Sequence, residues 1–381
     1  MKIGILTQPL YNNYGGILQN YALQTVLKNM GHEVYTIDRR SPPMSPFRKA
    51  ASIAKRILLR MVSQKTRIRV WPTAHESAIV SQHTQHFINE HIQRTRIVTS
   101  TAELKQLHRE YRFDAYIVGS DQVWRPKYSP CLPNYFLDFI ENDKSVKKIA
   151  YAASFGVDDW EFSDAQTASC ARLAQQFDAV SVREDSAVRL CKEYLAIEAV
   201  HVLDPTMLLD KKKYIELVEN HNTQKSKGNL FVYILDHTED KEKIINEIAD
   251  SQQLIPFEVM PQSYFNESKK ATSINNYIFP PVTEWLRAFM DAEFIVTDSF
   301  HGAVFSIVFG KPFVVFANYG RGIGRITSLL RMFGLESSLI LFNDVGYNNI
   351  TKSDSVFKNY KKKQIGELLT KSLLFFNILN N

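Results

Sequence analysis

The 381-residue sequence is 45% hydrophobic and 23% charged, a composition that excludes a largely disordered chain and that, at this length, predicts two globular domains. The formal net charge is +6, and because no nucleic-acid-binding motif accompanies it, we expect no nucleic-acid partner. The three cysteines, an odd number without Cys-x-x-Cys spacing, predict neither a disulfide framework nor a zinc site and favour a reducing compartment.

The first elements predict a βαβ unit. Residues 2–6 form an apolar strand rather than the long uncharged segment of a signal peptide, and residues 33–37 form the second strand. Between them, one helical face carries Ile17, Tyr21, Leu23, Val26 and Leu27. Gly15 and Gly16 precede this face without the Gly-x-Gly-x-x-Gly pattern of a dinucleotide site. We interpret the pair as a close approach of the backbone to a ligand or to the other domain, with a simple loop as the alternative.

Residues 48–69 form a basic segment with eight Lys or Arg residues and no Asp or Glu. Ile53, Ile57, Leu58 and Met61 would share one face of a helix there. Such a helix is a candidate for resting on an anionic membrane surface or for binding an acidic partner. We give more weight to the alternative in which the apolar stripe packs on the domain and the charges face solvent.

The sequence predicts no transmembrane segment, because no apolar run approaches the ~20 residues that span a bilayer. We therefore expect a cytoplasmic protein. Peripheral contact with the inner face of the membrane, through the basic segment, stays open as an option.

Five further apolar runs of strand length are each followed by polar or small residues. They lie at 114–118, 149–153, 179–182, 200–203 and 230–235. In open parallel sheets, residues beyond the carboxyl ends of the strands bind ligands. The pattern predicts an α/β protein with two doubly wound Rossmann-like domains that face each other across a cleft.

The most informative run follows. The apolar residues 294–296 lead into the sequence TDSFHG at 297–302 and a second apolar run at 303–309, which is typical of a strand, a turn and a helix. The first N–H groups of a helix lack partners and its dipole is positive there, so a phosphate or carboxylate is the natural ligand. Ser299 and His301 would lie within its reach. The alternative is a simple helix cap with a histidine near the surface.

The sequence resembles the polysaccharide pyruvyl transferase family from its first strand to about Arg325. The resemblance rests on five blocks in the same order and spacing: GSDQVW at 119–124, YAASFG at 151–156, SVRE at 181–184, LDPT at 203–206 and TDSFHG at 297–302. It implies a two-domain fold similar to GT-B glycosyltransferases, with the site in the cleft. It also implies phosphoenolpyruvate as donor, a glycan hydroxyl pair as acceptor, and a pyruvate ketal in a surface polysaccharide as product.

We divide the chain into residues 1–198, an N-terminal domain on the acceptor side that includes the basic segment, and residues 199–381, a C-terminal domain on the donor side. The last helix is a candidate for packing back on the first domain. No cofactor is expected beyond the donor substrate, and no His, Cys or carboxylate spacing predicts a metal. The acceptor is a glycan, and the basic segment suggests a lipid-linked one.

Donor binding requires cations, because phosphoenolpyruvate carries a phosphate and a carboxylate. Arg183 follows a strand, and Arg321 and Arg325 lie in a glycine-rich loop after the strand at 314–316; an arginine fork binds either anion through two hydrogen bonds. The family motifs support Arg183 and His301, whereas the other two arginines rest on chemistry. We also assign Ser299, Phe300 and Gly302, at the helix start, to the donor site.

His301 is assigned to acid–base chemistry or to binding the leaving phosphate. Asp121, Glu184 and Asp298 are candidates for activating a hydroxyl. Each has a structural alternative, namely capping a helix for Asp121, pairing with Arg183 for Glu184 and bracing the turn for Asp298. Asp204 precedes a proline and is interpreted as turn chemistry.

The acceptor is assigned to Tyr14, Gly15, Gly16 and Trp124, with the two aromatic rings stacking on a sugar. Burial in a core is the alternative for both rings. Two other functions stay open: a GT-B-type glycosyltransferase that uses a nucleotide sugar, and an inactive glycan-binding protein. Convergence of Arg183, His301 and Arg321 in the cleft would favour the transferase, and separate burial of Arg183 and His301 would favour the inactive protein.

Overall fold

The computed structural model describes residues 1–43, 45–62, 73–262, 273–341 and 362–380. The strands of these ranges are β1 (Lys2–Leu6), β2 (Glu33–Thr36), β3 (Ala115–Val118), β4 (Lys147–Ala153), β5 (Ala179–Val182), β6 (Val200–His201), β7 (Leu230–Tyr233), β8 (Pro256–Phe257), β9 (Phe294–Thr297), β10 (Phe313–Phe316) and β11 (Leu339–Ile340). The helices are α1 (Tyr14–Asn29), α2 (Pro46–Val62), α3 (Ala74–Val80), α4 (Gln82–His91), α5 (Thr101–Tyr111), α6 (Asp164–Ala174), α7 (Asp185–Leu190), α8 (Lys211–Asn220), α9 (Glu239–Gln252), α10 (Val282–Asp291), α11 (Phe300–Phe309), α12 (Gly324–Phe333) and α13 (Lys362–Leu374).

The first domain is built on a parallel sheet whose described strands run in the order β2-β1-β3-β4-β5-β6. Because successive side chains of a strand point to opposite faces, β3 packs Ala115 and Ile117 with α1 on one face and Tyr116 and Val118 with α5 on the other. The strand order reverses between β1 and β3. A ligand crevice is expected beyond their carboxyl ends.

The second domain repeats this plan with a parallel sheet in the order β11-β10-β9-β7-β8. Side chains of α10 and α11 cover one face, and α9 covers the other. The order reverses between β7 and β9, so this sheet also has its crevice at the start of α11. The predicted fold class, α/β with two doubly wound Rossmann-like domains, is confirmed.

The first sheet extends past the expected boundary at residues 198 and 199. Strand β6 pairs with β5, Ser181 with Val200 and Val182 with His201, and it therefore belongs to the first domain. The chain crosses to the second domain at Asp204, whose side chain accepts a hydrogen bond from the Thr206 amide and starts the 3₁₀ turn Pro205–Leu208.

The end of the chain returns to the first domain. Ser372 of α13 accepts a hydrogen bond from the Leu203 amide at 3.0 Å. In the 3₁₀ turn Phe375–Leu379, the ring of Phe376 stacks on Tyr151 of β4 with 4.5 Å between centroids. The last turn therefore covers part of the first sheet.

The two domains share one continuous apolar core, in which α1 of the first domain meets α10 and α11 of the second. Phe279 also donates its amide to the Val80 carbonyl at 3.0 Å. Apolar burial across the interface holds the domains together around the cleft. In the described part of the chain, no helix has an apolar stretch long enough to cross a bilayer.

The basic segment begins as the helix α2, and residues 63–69 lie outside the described residues. The apolar side of α2 is exposed to solvent: Phe47 is 83% exposed, Leu58 64%, and Ile53 and Ile57 38% each. The alternative that received more weight, an apolar stripe packed on the domain, is therefore wrong for these side chains. The side chain of Met61 is outside the described part of the structure.

Candidate functional site

A cavity of about 940 Å³ lies between the carboxyl edges of the two sheets. Segments that follow β1 and β3 line it from the first domain, and segments that follow β7, β9 and β10 line it from the second. The cavity therefore occupies the crevices of both domains at once. Its walls contain these predicted site residues: Tyr14, Asp121, Asp298, Ser299, Phe300, His301, Arg321 and Arg325.

The start of α11 forms one wall of the cavity. Ser299 precedes the helix, and its side chain does not cap the first turn. Gly302 lets the helix start close to β9, because a Cβ at this position would lie 2.2 Å from Thr297 Oγ1. The first-turn amides and the positive end of the helix dipole are therefore available to an anion in the cavity.

His301 meets the first domain at Gly15. A Cβ on Gly15 would lie 2.1 Å from His301 Cγ, so only glycine allows the imidazole this position. The His301 ring is 6% exposed, and its Nε2 has no hydrogen-bond partner among the described residues. Of the two interpretations of the glycine pair, close approach to the other domain is the one that the structure shows for Gly15.

Arg183 and Asp204 form a buried ion pair behind His301. Arg183 Nη1 lies 2.9 Å from Asp204 Oδ2, and His301 Nε2 lies 3.7 Å from the same oxygen. Burial alone would raise the pKa of Asp204, but His301, Arg183 and the Thr206 amide outweigh it and hold the pKa below its usual range. The carboxylate is therefore ionised, and it aligns the arginine and the histidine of two domains.

Arg325 is a buried cation without a carboxylate partner in the part of the chain that the structure describes. It is 7% exposed, its Nη2 donates to the Arg321 carbonyl at 2.6 Å, and its Nε has no partner there. Burial and the nearby Arg183 lower its pKa to about 10. Asp121 and Glu184 are near enough to offset part of this shift, but no described carboxylate forms an ion pair with the guanidinium, so its remaining donors are available to a ligand.

Phe300 joins the two arginines. Its ring lies 4.4 Å from the Arg183 guanidinium carbon and 5.7 Å from that of Arg325. The ring faces attract cations, so they offset part of the repulsion between two like charges. Phe300 thus brings both cations to the start of α11.

The carboxylates Asp121 and Glu184 lie on the first-domain side. Asp121 lines the cavity, with Oδ1 3.6 Å from Arg183 Nη2, and accepts a hydrogen bond from the Gln122 amide. Glu184 is fully buried, its Oε1 accepts from Ser154 Oγ and the Phe155 amide at 2.9 Å, and burial raises its pKa. Only Asp121 of this pair lines the cavity.

Asp298 is saturated by donors, which contradicts its assignment as a base. Its carboxylate accepts from Lys241 Nζ at 2.7 Å, from the Leu235 and Asp236 amides at 2.7 and 3.1 Å, and from Asn318 Nδ2 at 3.3 Å. Three of these four bonds converge on Oδ2, and the carboxylate is buried, so a substrate hydroxyl has little access to it. Asp298 braces the turn before α11, which was its structural alternative.

Arg321 reaches the cavity but its fork is occupied. Its Nε and Nη2 bind the two carboxylate oxygens of Asp236 at 2.6 and 2.9 Å. Arg321 is thereby the main cause of an Asp236 pKa of about 2. Arg321 would have to exchange Asp236 for a donor anion, and it is a weaker candidate than Arg325.

Both aromatic assignments to the acceptor are wrong. Trp124 is fully buried, its ring stacks on Phe136 at 5.0 Å, and its Nε1 donates to the Tyr135 carbonyl. Tyr14 is 1% exposed, stacks on Trp285 at 5.5 Å and donates its hydroxyl to the Pro280 carbonyl. Neither ring has a free face for a sugar, and Tyr14 instead joins the two domains.

Gly16 is the remaining acceptor residue. Its amide is capped by Asn13 Oδ1 at 3.1 Å, and a Cβ would lie 3.4 Å from Asp121 Oδ2. The glycine therefore keeps the start of α1 close to Asp121. It does not line the cavity itself, whereas Asn13 does.

Asp204 is the functional residue that the sequence interpretation underrated. Its side chain connects Arg183, His301 and Ser120, whose Oγ donates to Asp204 Oδ2 at 3.0 Å. The sequence feature that could have indicated this role is the position of Asp204 in the LDPT block, just beyond the last strand of the first sheet. The proline that follows suggested only a role in a turn. Asp204 does start the 3₁₀ turn Pro205–Leu208, and it also forms the ion pair with Arg183.

Comparison with solved structures supports the fold. The chain is similar to the UDP-GlcNAc 2-epimerase from Neisseria meningitidis bound to UDP-GlcNAc, with a TM-score of 0.55 and 12% identity over 100% of both chains. It is also similar to the UDP-GlcNAc 2-epimerase from Methanocaldococcus jannaschii, with a TM-score of 0.51 and 13% identity over 98% of this chain and 100% of that one. At this identity the likeness establishes the GT-B-like architecture alone.

Comparison by sequence establishes the family. No curated protein matches the chain. The family model of polysaccharide pyruvyl transferases matches residues 13–319, which is most of the chain; the match includes Asp121 and His301 of the cavity and ends before Arg321 and Arg325. The chain belongs to the polysaccharide pyruvyl transferase family.

Proposed function

We propose that the protein transfers the pyruvyl group of phosphoenolpyruvate to two hydroxyls of a glycan, forming a ketal during synthesis of a surface polysaccharide. The observation that carries this proposal is Arg325, a buried guanidinium that has no carboxylate within reach among the described residues and that lies beside an uncapped helix start. Such a site is complete only with an anion in it. The proposed reaction needs no cofactor besides the donor.

The two anionic groups of phosphoenolpyruvate fit two sets of donors. The phosphate is assigned to the start of α11 and the carboxylate to Arg325. Arg183 does not line the cavity; paired with Asp204 and packed on Phe300, it would position the donor site from behind. Arg321 is a further phosphate ligand if it releases Asp236. The second domain would thus be the donor side.

The reaction balances without an external acid or base. The methylene carbon of the donor gains a proton, one hydroxyl attacks C2, phosphate leaves, and the second hydroxyl closes the ketal at C2. One hydroxyl proton ends on the new methyl group and the other leaves on the phosphate. A single group that passes protons between these positions is sufficient, and His301, which lines the cavity and is oriented by Asp204, has the chemistry for it.

The acceptor would lie against the first domain. Asp121 faces the cavity and is the carboxylate best placed to accept a hydroxyl proton. Glu184 would act through the loop at 154–156, whose hydroxyl and amides it holds, rather than on the substrate. Asn12, Asn13 and Gln122 supply neutral polar groups to this wall, as glycan recognition requires.

The test is phosphate release from phosphoenolpyruvate with a panel of galactose- and N-acetylmannosamine-containing acceptors. We expect acceptor-dependent release that is lost in His301→Ala and strongly reduced in Arg325→Gln. His32→Ala and Arg172→Ala, which change surface residues away from the cavity, are the matched controls and should keep full activity.

Two other outcomes would replace the proposal. If no acceptor of the panel causes phosphate release, and a nucleotide sugar but not phosphoenolpyruvate raises the melting temperature, the protein is a glycosyltransferase. Binding of glycans without turnover of either donor would indicate the inactive protein. An inactive glycan-binding protein was expected to bury Arg183 and His301 in separate packing contacts. Both side chains instead contact Asp204, which argues against an inactive protein.

We also propose that α2 lies on an anionic lipid surface and brings the cavity to a lipid-linked acceptor on the cytoplasmic side. The helix carries no acidic residue, and its sequence places Arg56 opposite the exposed Phe47 and Leu58, with Lys55 at the flank of that apolar side. A basic face with a bare apolar face is the pattern of an interfacial helix.

Vesicle co-sedimentation tests the membrane proposal. The chain should bind phosphatidylglycerol-containing vesicles, less so at high salt, and Lys55→Glu/Leu58→Asp should abolish binding. Lys192→Glu, at an exposed lysine of the first domain, is the control. Equal binding by the α2 variant, or no preference for anionic over neutral vesicles, would contradict the proposal.

A further inference from the structure

A second group of polar side chains lies away from the catalytic cavity, where α4 of the first domain meets the end of α8 in the second. Glu90 and His91 end α4, and His221 directly follows α8. One ligating atom from each of these three residues lies within 4.8 Å of the others. The cluster borders a separate cavity of about 750 Å³ that His83, His86 and His221 help to line.

The hydrogen bonds of His221 determine which nitrogen carries the proton. Its Nδ1 lies 2.9 Å from the Leu217 carbonyl, which can only accept, so Nδ1 must be the donor. In neutral His221 the Nε2 lone pair then points at Glu90 Oε2, 3.3 Å away. Two acceptors at this distance repel unless a proton or a cation lies between them.

His91 adds a third lone pair. Its Nε2 is buried and has no hydrogen-bond partner among the described residues, and Glu90 Oε1 lies 3.8 Å away. Its ring is also fixed in place by contacts with Phe87 at 4.5 Å and with His221 at 5.5 Å between centroids.

We propose that Glu90, His91 and His221 bind a divalent transition-metal ion of the Zn²⁺ class. Two imidazole nitrogens and one carboxylate oxygen are a donor set that Zn²⁺ takes, and bonds of about 2.0–2.1 Å in a tetrahedron place the ligand atoms about 3.3 Å apart. Glu90 Oε2 and His221 Nε2 already have this spacing. The third ligand atom, from His91, lies within 4.8 Å of the others, so its side chain would have to move by up to about 1.5 Å. The Leu217 carbonyl supplies the partner that orients a ligating histidine.

The fourth position is open to water or to His86, whose Nε2 lies 3.4 Å from Glu90 Oε2. Because the ligands come from both domains, the ion would clamp the domain interface on the side of α4 and α8. The sequence predicted no metal, since the ligands are 130 residues apart and only the fold brings them together. Binding here is independent of the pyruvyl-transfer proposal, because none of these residues lines the catalytic cavity.

The test is titration of the metal-free full chain with Co²⁺ and Zn²⁺. Calorimetry gives the stoichiometry, and the visible spectrum of Co²⁺ reports the coordination geometry. We expect one ion per chain with a tetrahedral or five-coordinate Co²⁺ spectrum, at least tenfold weaker binding in Glu90→Gln and in His91→Ala, and no specific binding in His221→Asn. Zn²⁺ should raise the melting temperature of the native chain and not of His221→Asn.

The matched control is His108→Ala, which removes a histidine from a surface histidine–carboxylate pair with Asp143. It should bind the ion as the native chain does. The proposal is overturned if no ion binds at micromolar concentrations, or if the His91 and His221 variants bind as tightly as the native chain. In either case Glu90 and His221 form only a hydrogen-bonded pair.

Discussion

The strongest test of the site geometry is Asp204→Asn. The substitution keeps the shape of the side chain and removes the charge that faces Arg183 Nη1 at 2.9 Å, in a pair with both side chains at most 1% exposed. At an effective dielectric constant of about 20, two charges at this distance attract by about 6 kcal/mol. Removal of one partner from a buried pair costs about 3–5 kcal/mol in measured cases, because the other charge stays buried and unpaired.

We therefore expect Asp204→Asn to lower the free energy of unfolding by about 3–5 kcal/mol, measured by urea denaturation with tryptophan fluorescence. The folded-state pKa of Asp204 lies below the usual value of 3.8. The ionised carboxylate therefore contributes fully to the free energy of unfolding above about pH 3.8, and this contribution is lost only as the pH falls through the lower folded-state pKa. The Asp204 carboxylate is therefore ionised at both pH 5 and pH 8, and the cost of the substitution should be at least as large at pH 5 as at pH 8.

Two further variants separate the buried pair from a surface one. Asp236→Asn breaks the Arg321 pair, whose side chains are 45% and 49% exposed, and should cost no more than about 1 kcal/mol. The double variant Asp204→Asn/Arg183→Gln should recover part of the loss, because the Arg183 charge no longer stays buried beside a neutral side chain; the recovery is partial because Asp121 also loses Arg183. A loss below about 1 kcal/mol in Asp204→Asn, or no recovery in the double variant, would refute the buried pair as the organiser of the site.

Three further substitutions test neighbouring parts of the account. Gly15→Ala should displace His301 and lower phosphate release at least tenfold with an unchanged circular dichroism spectrum, whereas Gly366→Ala, with open space at its Cβ, should have no effect. Arg325→Lys keeps the charge but loses the fork, and should raise the KM for phosphoenolpyruvate about tenfold; an unchanged KM would remove Arg325 from the donor site. Trp124→Phe should lower stability by about 1–3 kcal/mol through the lost Tyr135 contact, without changing the KM for the glycan.

The strands and helices could be predicted because apolar periodicity and helix-start patterns depend on only a few neighbouring residues. The apolar runs at 179–182 and 294–296 are strands, the polar residues after the second run line the cavity, and the helix after residue 299 begins where the sequence indicated. The periodicity also predicted α2 as a helix. It could not predict that its apolar side would face solvent, because exposure depends on what the rest of the chain brings to it.

Contacts between distant residues explain the errors. The Tyr14 ring is covered by Trp285, and the Asp298 carboxylate is bound by Lys241. Both partners are distant in sequence, so the residues around Tyr14 and Asp298 do not reveal them. Asp204 received a turn interpretation because proline follows it, whereas its role depends on Arg183 and on His301 from the other domain. Sequence thus located the site and its charges, and the fold decided which side chains were free to act.

The most direct test of pyruvyl transfer is to follow carbon-labelled phosphoenolpyruvate with the native chain and an accepted glycan. The account predicts that the label appears in the glycan as an acid-labile ketal, in equal amount to the phosphate released, and that in deuterated water the new methyl group carries deuterium. Phosphate release with the label in free pyruvate, or a labelled glycan that keeps its phosphate, would contradict it.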